Sequence, residues 1–142
     1  MILPDVNLLI YAIDETSLFH EKTYAWWNGL LSSSTPVGLC YPSVLGFFRL
    51  TTSRRVFNNP LPTQQALAYI EEWIEQPNTT FVLPTARHWS ILSSLLSAAG
   101  ATGNLTTDAH IAALAMEHGY TVHSNDADFG RFPALSWINP LA

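Results

Sequence analysis

Four aspartates occupy positions at which a carboxylate can do chemistry. Asp5 interrupts an apolar stretch, Asp108 begins a segment with helical spacing, and Asp126 and Asp128 follow a short apolar segment. Carboxylates gathered at one place repel one another, and this raises some of their pKa values. A divalent cation such as Mg²⁺ or Mn²⁺ relieves the repulsion, because it prefers oxygen ligands. The predicted chemistry is metal-assisted hydrolysis.

A purely structural interpretation of the same residues also stands. Asp108 is placed where a helix dipole favours an acid in its first turn. Asp126 and Asp128 are ordinary turn residues by type. Asp5 is harder to explain in this way, because the residues around it are apolar. Spacing alone leaves both interpretations open.

Short apolar segments alternate with helical ones along the chain, which predicts an α/β domain of three layers around a short parallel sheet. The predicted strands cover residues 1–5, 37–41, 79–83, 120–124 and 135–138. The predicted helices start near residue 7 and then cover 18–31, 42–50, 63–76, 87–99 and 108–118, with Thr63 and Thr106 or Thr107 as N-caps. Ligands of such sheets bind beyond the carboxyl ends of the strands, where these segments deliver Asp5, Asp108 and Asp126.

Composition limits the classes of function that remain. Residues 1–142 carry 48% hydrophobic and only 12% charged side chains, so we expect one folded domain and no disordered tail. Six Lys and Arg against eleven Asp and Glu give a net charge of −5, which argues against a broad basic face for nucleic acid. We expect a cytoplasmic protein, because no signal peptide or membrane span is evident and Cys40 is the only cysteine.

Other chemistries find little support in the sequence. The five histidines are isolated along the chain, so a structural role is expected for each. Ser43 and Ser124 have no evident His and Asp partners, and the glycines match no phosphate-binding loop.

Three acidic blocks of the chain resemble those of the PIN-domain ribonucleases, and most closely those of the VapC toxins of type II toxin–antitoxin modules. The blocks are LPDVNLLIYA at residues 3–12, TDAHIAALA at 107–115 and SNDADF at 124–129. The resemblance extends to FFRLTT at 47–52 and to the residues near the C-terminus. It implies an α/β/α PIN fold, a homodimer, and Mg²⁺-dependent cleavage of RNA in which Mn²⁺ substitutes. It also implies silencing by a cognate VapB-type antitoxin.

The resemblance assigns roles to individual residues of this chain. Asp5 and Asp108 correspond to the principal metal ligands and Asp126 to the third catalytic acid. Asp128 corresponds to a neighbouring acid that contributes to the metal site. Asn7 would orient Asp5 or its water.

One position departs from the family pattern. The family has a glutamate three residues before the arginine of the 43–49 segment, and this chain has Gly46 there. A glutamate restored at position 46 is predicted to tighten metal binding, provided that the helix accepts the side chain. A catalytically weakened PIN-like binding module is therefore the alternative function, although Asp5, Asp108 and Asp126 are all retained. Arg54 and Arg55 are candidates to hold RNA phosphates, with solvated loop cations as the alternative.

Overall fold

A parallel β-sheet of five short strands forms the centre of the computed structural model, which describes residues 1–142. The strands are β1 (Ile2–Pro4), β2 (Val37–Leu39), β3 (Thr79–Phe81), β4 (Thr121–His123) and β5 (Trp137–Ile138). They lie in the order β3-β2-β1-β4-β5, and every neighbouring pair is parallel. The order reverses at β1, so β1 lies at the middle of the sheet and next to β4.

Six α-helices cover the two faces of this sheet. They are α1 (Val6–Tyr11), α2 (His20–Leu31), α3 (Tyr41–Thr51), α4 (Thr63–Ile74), α5 (His88–Ala99) and α6 (Leu105–His118). A single 3₁₀ turn (Ala127–Arg131) follows β4. None of the helices has the length and apolar character needed to cross a membrane.

Each face of the sheet has its own hydrophobic core. On one face, alanines of α6 and the side chain of Leu95 in α5 pack against Leu3 and Val122. On the other face, Trp27, Phe47 and Trp73 of three different helices pack against Val37 and Leu39. The alternation of strand side chains between the two cores confirms the predicted three-layer α/β/α architecture.

The strands are shorter than predicted, and two helix starts differ. Tyr41, which was predicted to end a strand, is the first residue of α3, because Pro42 fits a first helical turn that needs no amide donor. Pro62 rather than Thr63 is the N-cap of α4. Helix α6 begins at Leu105 after Asn104, so neither Thr106 nor Thr107 caps it. The predicted stop of α6 is correct, since Gly119 takes the left-handed conformation with a φ of 73°.

Candidate metal centre

Asp5 and Ser124 are neighbours because their strands are paired in register. Pro4 of β1 lies opposite His123 of β4, and the amide of Asp5 donates to the carbonyl of His123 at 2.9 Å. Both residues therefore leave the sheet at the same carboxyl edge. This arrangement brings the first and third acidic blocks together, although about 120 residues separate them in sequence.

The carboxylate of Asp5 is held at both oxygens. The residue is only 5% exposed and is the N-cap of α1. Its Oδ1 accepts a hydrogen bond from the amide of Val6 at 2.7 Å, and its Oδ2 accepts one from the hydroxyl of Ser124 at 2.7 Å. Capping alone needs only the first of these bonds. The second bond fixes the carboxylate toward the edge where the other acids lie.

Ser124 connects three residues of the site. Its fully buried hydroxyl donates to Asp5 and accepts from the backbone amide of Asp126 at 2.9 Å and from Nδ2 of Asn7 at 3.3 Å. This role of Ser124 was not predicted from the sequence, where serine was considered only as a nucleophile. The available signal was a serine directly after a buried strand and two residues before an acid.

Asp108, Asp126 and Asp128 form a compact carboxylate cluster. One oxygen from each lies within 4.8 Å of the others. Asp108 comes from the first turn of α6, while Oδ1 of Asp126 accepts from the amide of Asp128 at 2.9 Å and caps the 3₁₀ turn. The structure thus brings all four predicted acids to one edge of the sheet, with buried Asp5 beside the cluster.

No basic side chain forms an ion pair with these acids. The one ion pair of the chain joins His88 to Glu117. Burial, followed by repulsion from Asp5, Asp126 and Asp128, raises the pKa of Asp108 to about 7. Burial also raises the pKa of Asp5, and the hydrogen bonds from Ser124 and Val6 offset only part of that effect. The folded chain therefore concentrates negative charge that its own residues leave uncompensated.

The donor set fits a hard divalent cation. Carboxylate oxygens predominate, and no thiol or imidazole belongs to the cluster. Oδ1 of Asn7 is buried and has no hydrogen-bond partner, although a buried amide oxygen normally has one. An unsatisfied acceptor beside a carboxylate cluster is what a cation or its bound water would satisfy.

Asp5, Asp108 and Asp126 line a cavity of about 1030 Å³, whereas Asp128 lies outside its lining. Helices α1, α3 and α6 line it, and Asn7 and Gly46 contribute to its wall. Arg49 also lines the cavity, whereas Arg54 and Arg55 are exposed outside it. Contact of Arg54 and Arg55 with RNA therefore stays a prediction.

Gly46 lies where α3 crosses α1. A Cβ atom at position 46 would come within 2.8 Å of Cγ2 of Val6, which is shorter than real Cβ contacts. Glutamate at this position thus requires the side chain of Val6 to shift, and tighter metal binding by Gly46→Glu stays a prediction.

The histidines are less isolated than the sequence indicates. Nδ1 of His88 contacts the buried carboxylate of Glu117, which also accepts two hydrogen bonds from Thr85. The ring of His88 lies 4.9 Å from that of His110. These contacts join α5 to α6, which is a structural role, and they arise because the two helices pack side by side.

The raised pKa of Asp108 predicts how the stability of the metal-free protein depends on pH. The carboxyl group of Asp108 has a pKa of about 3.9 in the unfolded chain and of about 7 in the folded one. The folded state binds more protons between these values, so the free energy of unfolding falls as the pH rises through that window and is lowest above it. Asp108→Asn removes this dependence and is expected to raise the melting temperature in EDTA above pH 7, with little effect near pH 4.

Thermal melts in EDTA and in Mn²⁺ distinguish this explanation from a structural one. If Asp108 binds the cation, the variant gains less from Mn²⁺ than the parent does, since binding to the native state alone stabilises it. If Asp108 only favours the helix dipole, the variant melts lower in EDTA and responds to Mn²⁺ as the parent does. The second pattern would remove Asp108 from the metal site.

Comparison with known proteins agrees with this architecture. The family model of the PIN domain matches residues 2–135. Ribonuclease VapC33 of Mycobacterium tuberculosis is 43% identical over 141 residues, which cover 99% of each chain. Ribonuclease VapC37 of the same species is 41% identical and covers 97% of this chain and 96% of its own.

The fold has a solved counterpart as well. The crystal structure of VapBC2 from Rickettsia felis, bound to a DNA fragment from its promoter, contains a chain that matches with a TM-score of 0.69 at 18% identity and 98% coverage of both chains. The chain therefore belongs to the PIN-domain family and, within it, to the VapC ribonucleases.

Proposed function

We propose that residues 1–142 form one PIN domain that acts as the toxin of a type II toxin–antitoxin module. Its activity would be the hydrolysis of phosphodiester bonds in RNA with Mg²⁺, for which Mn²⁺ substitutes. The observation that carries this proposal is the cluster of Asp108, Asp126 and Asp128 beside buried Asp5, which lacks a basic partner. The names of the 43% and 41% identical relatives support the same activity.

Each residue of the site would have its own role. Asp5, Asp108, Asp126 and Asp128 would hold the cation. When bound, the cation would supply positive charge at the scissile phosphate and make a water molecule more acidic. The free Oδ1 of Asn7 would accept a hydrogen bond from that water and orient it. Ser124 would keep Asp5 and Asp126 in place.

We further propose a homodimer and a VapB-type antitoxin as partners. The solved neighbour from Rickettsia felis is a VapBC complex, which supports a partner of this class. Two large apolar side chains are exposed and available for such contacts: Leu18, in the turn before α2, is 99% exposed, and Trp89 of α5 is 71% exposed.

A nuclease assay with defined metal content tests the proposed function. The purified protein is expected to cleave structured RNA in Mg²⁺ or Mn²⁺, and EDTA should stop the reaction. The alternative, a catalytically weakened binding module, is favoured by Gly46, where the family has a glutamate. Binding of RNA without cleavage in either metal would support that alternative and contradict the ribonuclease proposal.

A further inference from the structure

The cavity extends well beyond the carboxylates. At its acidic end, the hydroxyl of Ser43 in the first turn of α3 donates to the carbonyl of Pro4, directly before Asp5. From there α3 runs along the cavity wall and contributes Tyr41, Leu45 and Arg49 at intervals of four residues. Residues four apart lie on one face of a helix, so these side chains form a continuous line. The cavity is much larger than a cation and one phosphate require.

The chain has only six basic side chains, and they differ in whether they line the cavity. Three of the six Lys and Arg residues donate to backbone carbonyls of their own chain: Lys22, Arg87 and Arg131. Arg54 and Arg55 are exposed outside the cavity. Arg49 is the one basic residue that lines the cavity, and its exposed guanidinium forms no ion pair.

Charge makes a basic residue in this position valuable for binding RNA. The carboxylates and the net charge of −5 repel a polyanion, and a bound cation acts only at its own end of the cavity. Arg49 lies three residues beyond Gly46, where α3 meets Val6 next to Asp5, and this is about 4.5 Å along the helix axis at 1.5 Å per residue. A guanidinium in this position lines the same cavity as the carboxylates and can hold a phosphate of the bound strand.

We infer that Arg49 binds a phosphate of the RNA strand that occupies this cavity. This inference rests on the proposed ribonuclease function. Arg49 and the carboxylates of Asp5, Asp108 and Asp126 line the same cavity, so a strand bound at the carboxylates lies within reach of the one basic side chain there.

The test compares Arg49→Gln with Lys22→Gln, which removes the same charge at an exposed position outside the cavity. The apparent KM for cleavage of a short labelled single-stranded RNA in Mn²⁺ is expected to rise about tenfold for Arg49→Gln, while kcat changes little. Binding of the same RNA in EDTA, followed by fluorescence anisotropy, should lose about 0.7 from the slope of log K against log salt. Lys22→Gln should change the KM and the salt slope by less than about twofold. Arg49→Lys should restore most of the binding.

The possible outcomes separate this inference from the proposed function. A parent that cleaves RNA, together with an Arg49→Gln variant of unchanged KM and salt slope, overturns the inference alone. Equal effects of Arg49→Gln and Lys22→Gln also overturn it, because net charge would then explain both. Loss of antitoxin binding without a change in KM for RNA assigns Arg49 to the partner instead and contradicts the inference. A parent that neither binds nor cleaves RNA overturns the proposed function and the inference with it.

Discussion

Asp5→Asn is expected to lower the rate of metal-dependent RNA cleavage by at least about two orders of magnitude. The substitution keeps the shape of the side chain and its ability to accept from the amide of Val6. It removes the negative charge from the buried position beside the carboxylate cluster, so metal binding and cleavage should both weaken. Single-turnover cleavage in Mn²⁺ measures the loss, and calorimetric titration of Mn²⁺ measures the binding.

Asp14→Asn is the matched control for this variant. Asp14 lies outside the cavity and its carboxylate accepts from the amide and hydroxyl of Thr16, so the same chemical change is made away from the proposed site. Cleavage by Asp14→Asn should stay close to that of the parent. Undiminished cleavage by a folded Asp5→Asn protein would contradict the assignment of Asp5 to the metal site.

Ser124→Ala is expected to reduce cleavage by about 10- to 100-fold, which is the usual effect of losing a residue that orients a ligand. The substitution leaves Oδ2 of buried Asp5 without its donor and removes the acceptor for the amide of Asp126. Leaving a buried polar group unsatisfied costs about 1–3 kcal/mol, so the melting temperature should fall as well. Cleavage in Mn²⁺ and thermal melts in EDTA measure the two effects.

Two further variants distinguish positioning from general destabilisation. Ser124→Thr retains the hydroxyl and should recover cleavage if the fully buried site accommodates the methyl group. Ser136→Ala removes an exposed hydroxyl that contacts Thr121 at the opposite end of β4 from Ser124, and it should leave cleavage unchanged. If Ser124→Ala binds Mn²⁺ and cleaves RNA as the parent does, Ser124 has no part in the site.

The sequence predicted most of what depends on strand and helix order. Asp5 and Asp126 each follow a strand, and parallel strands end at one edge, so their proximity follows from topology once the strands are recognised. Asp108 follows in the same way from the helix that precedes β4. These placements require only which element each residue ends or begins. An error of one or two residues in a boundary, such as that at Tyr41, does not disturb them.

Features that depend on contacts between distant segments could not be predicted from the sequence. The hydrogen bonds of Ser124 join residues about 120 positions apart, and the pairing of His88 with Glu117 depends on how α5 packs against α6. Helix caps were missed for a different reason. Thr107 is a good N-cap by type, but the packing of Leu105 places the helix start three residues earlier, so tertiary packing decides the boundary.

The close approach of Gly46 to Val6 determines how an acidic side chain can be introduced at position 46. The Cβ atom of an acidic residue at position 46 would come within 2.8 Å of Cγ2 of Val6, whereas a smaller residue at position 6 would make room for it. The two positions are thus coupled, and their effects on stability should not add. Val6 is half-buried and lines the open cavity, so a shift of its side chain or a smaller residue at position 6 would relieve the close contact. The introduction of an acid at position 46 therefore depends on the residue at position 6.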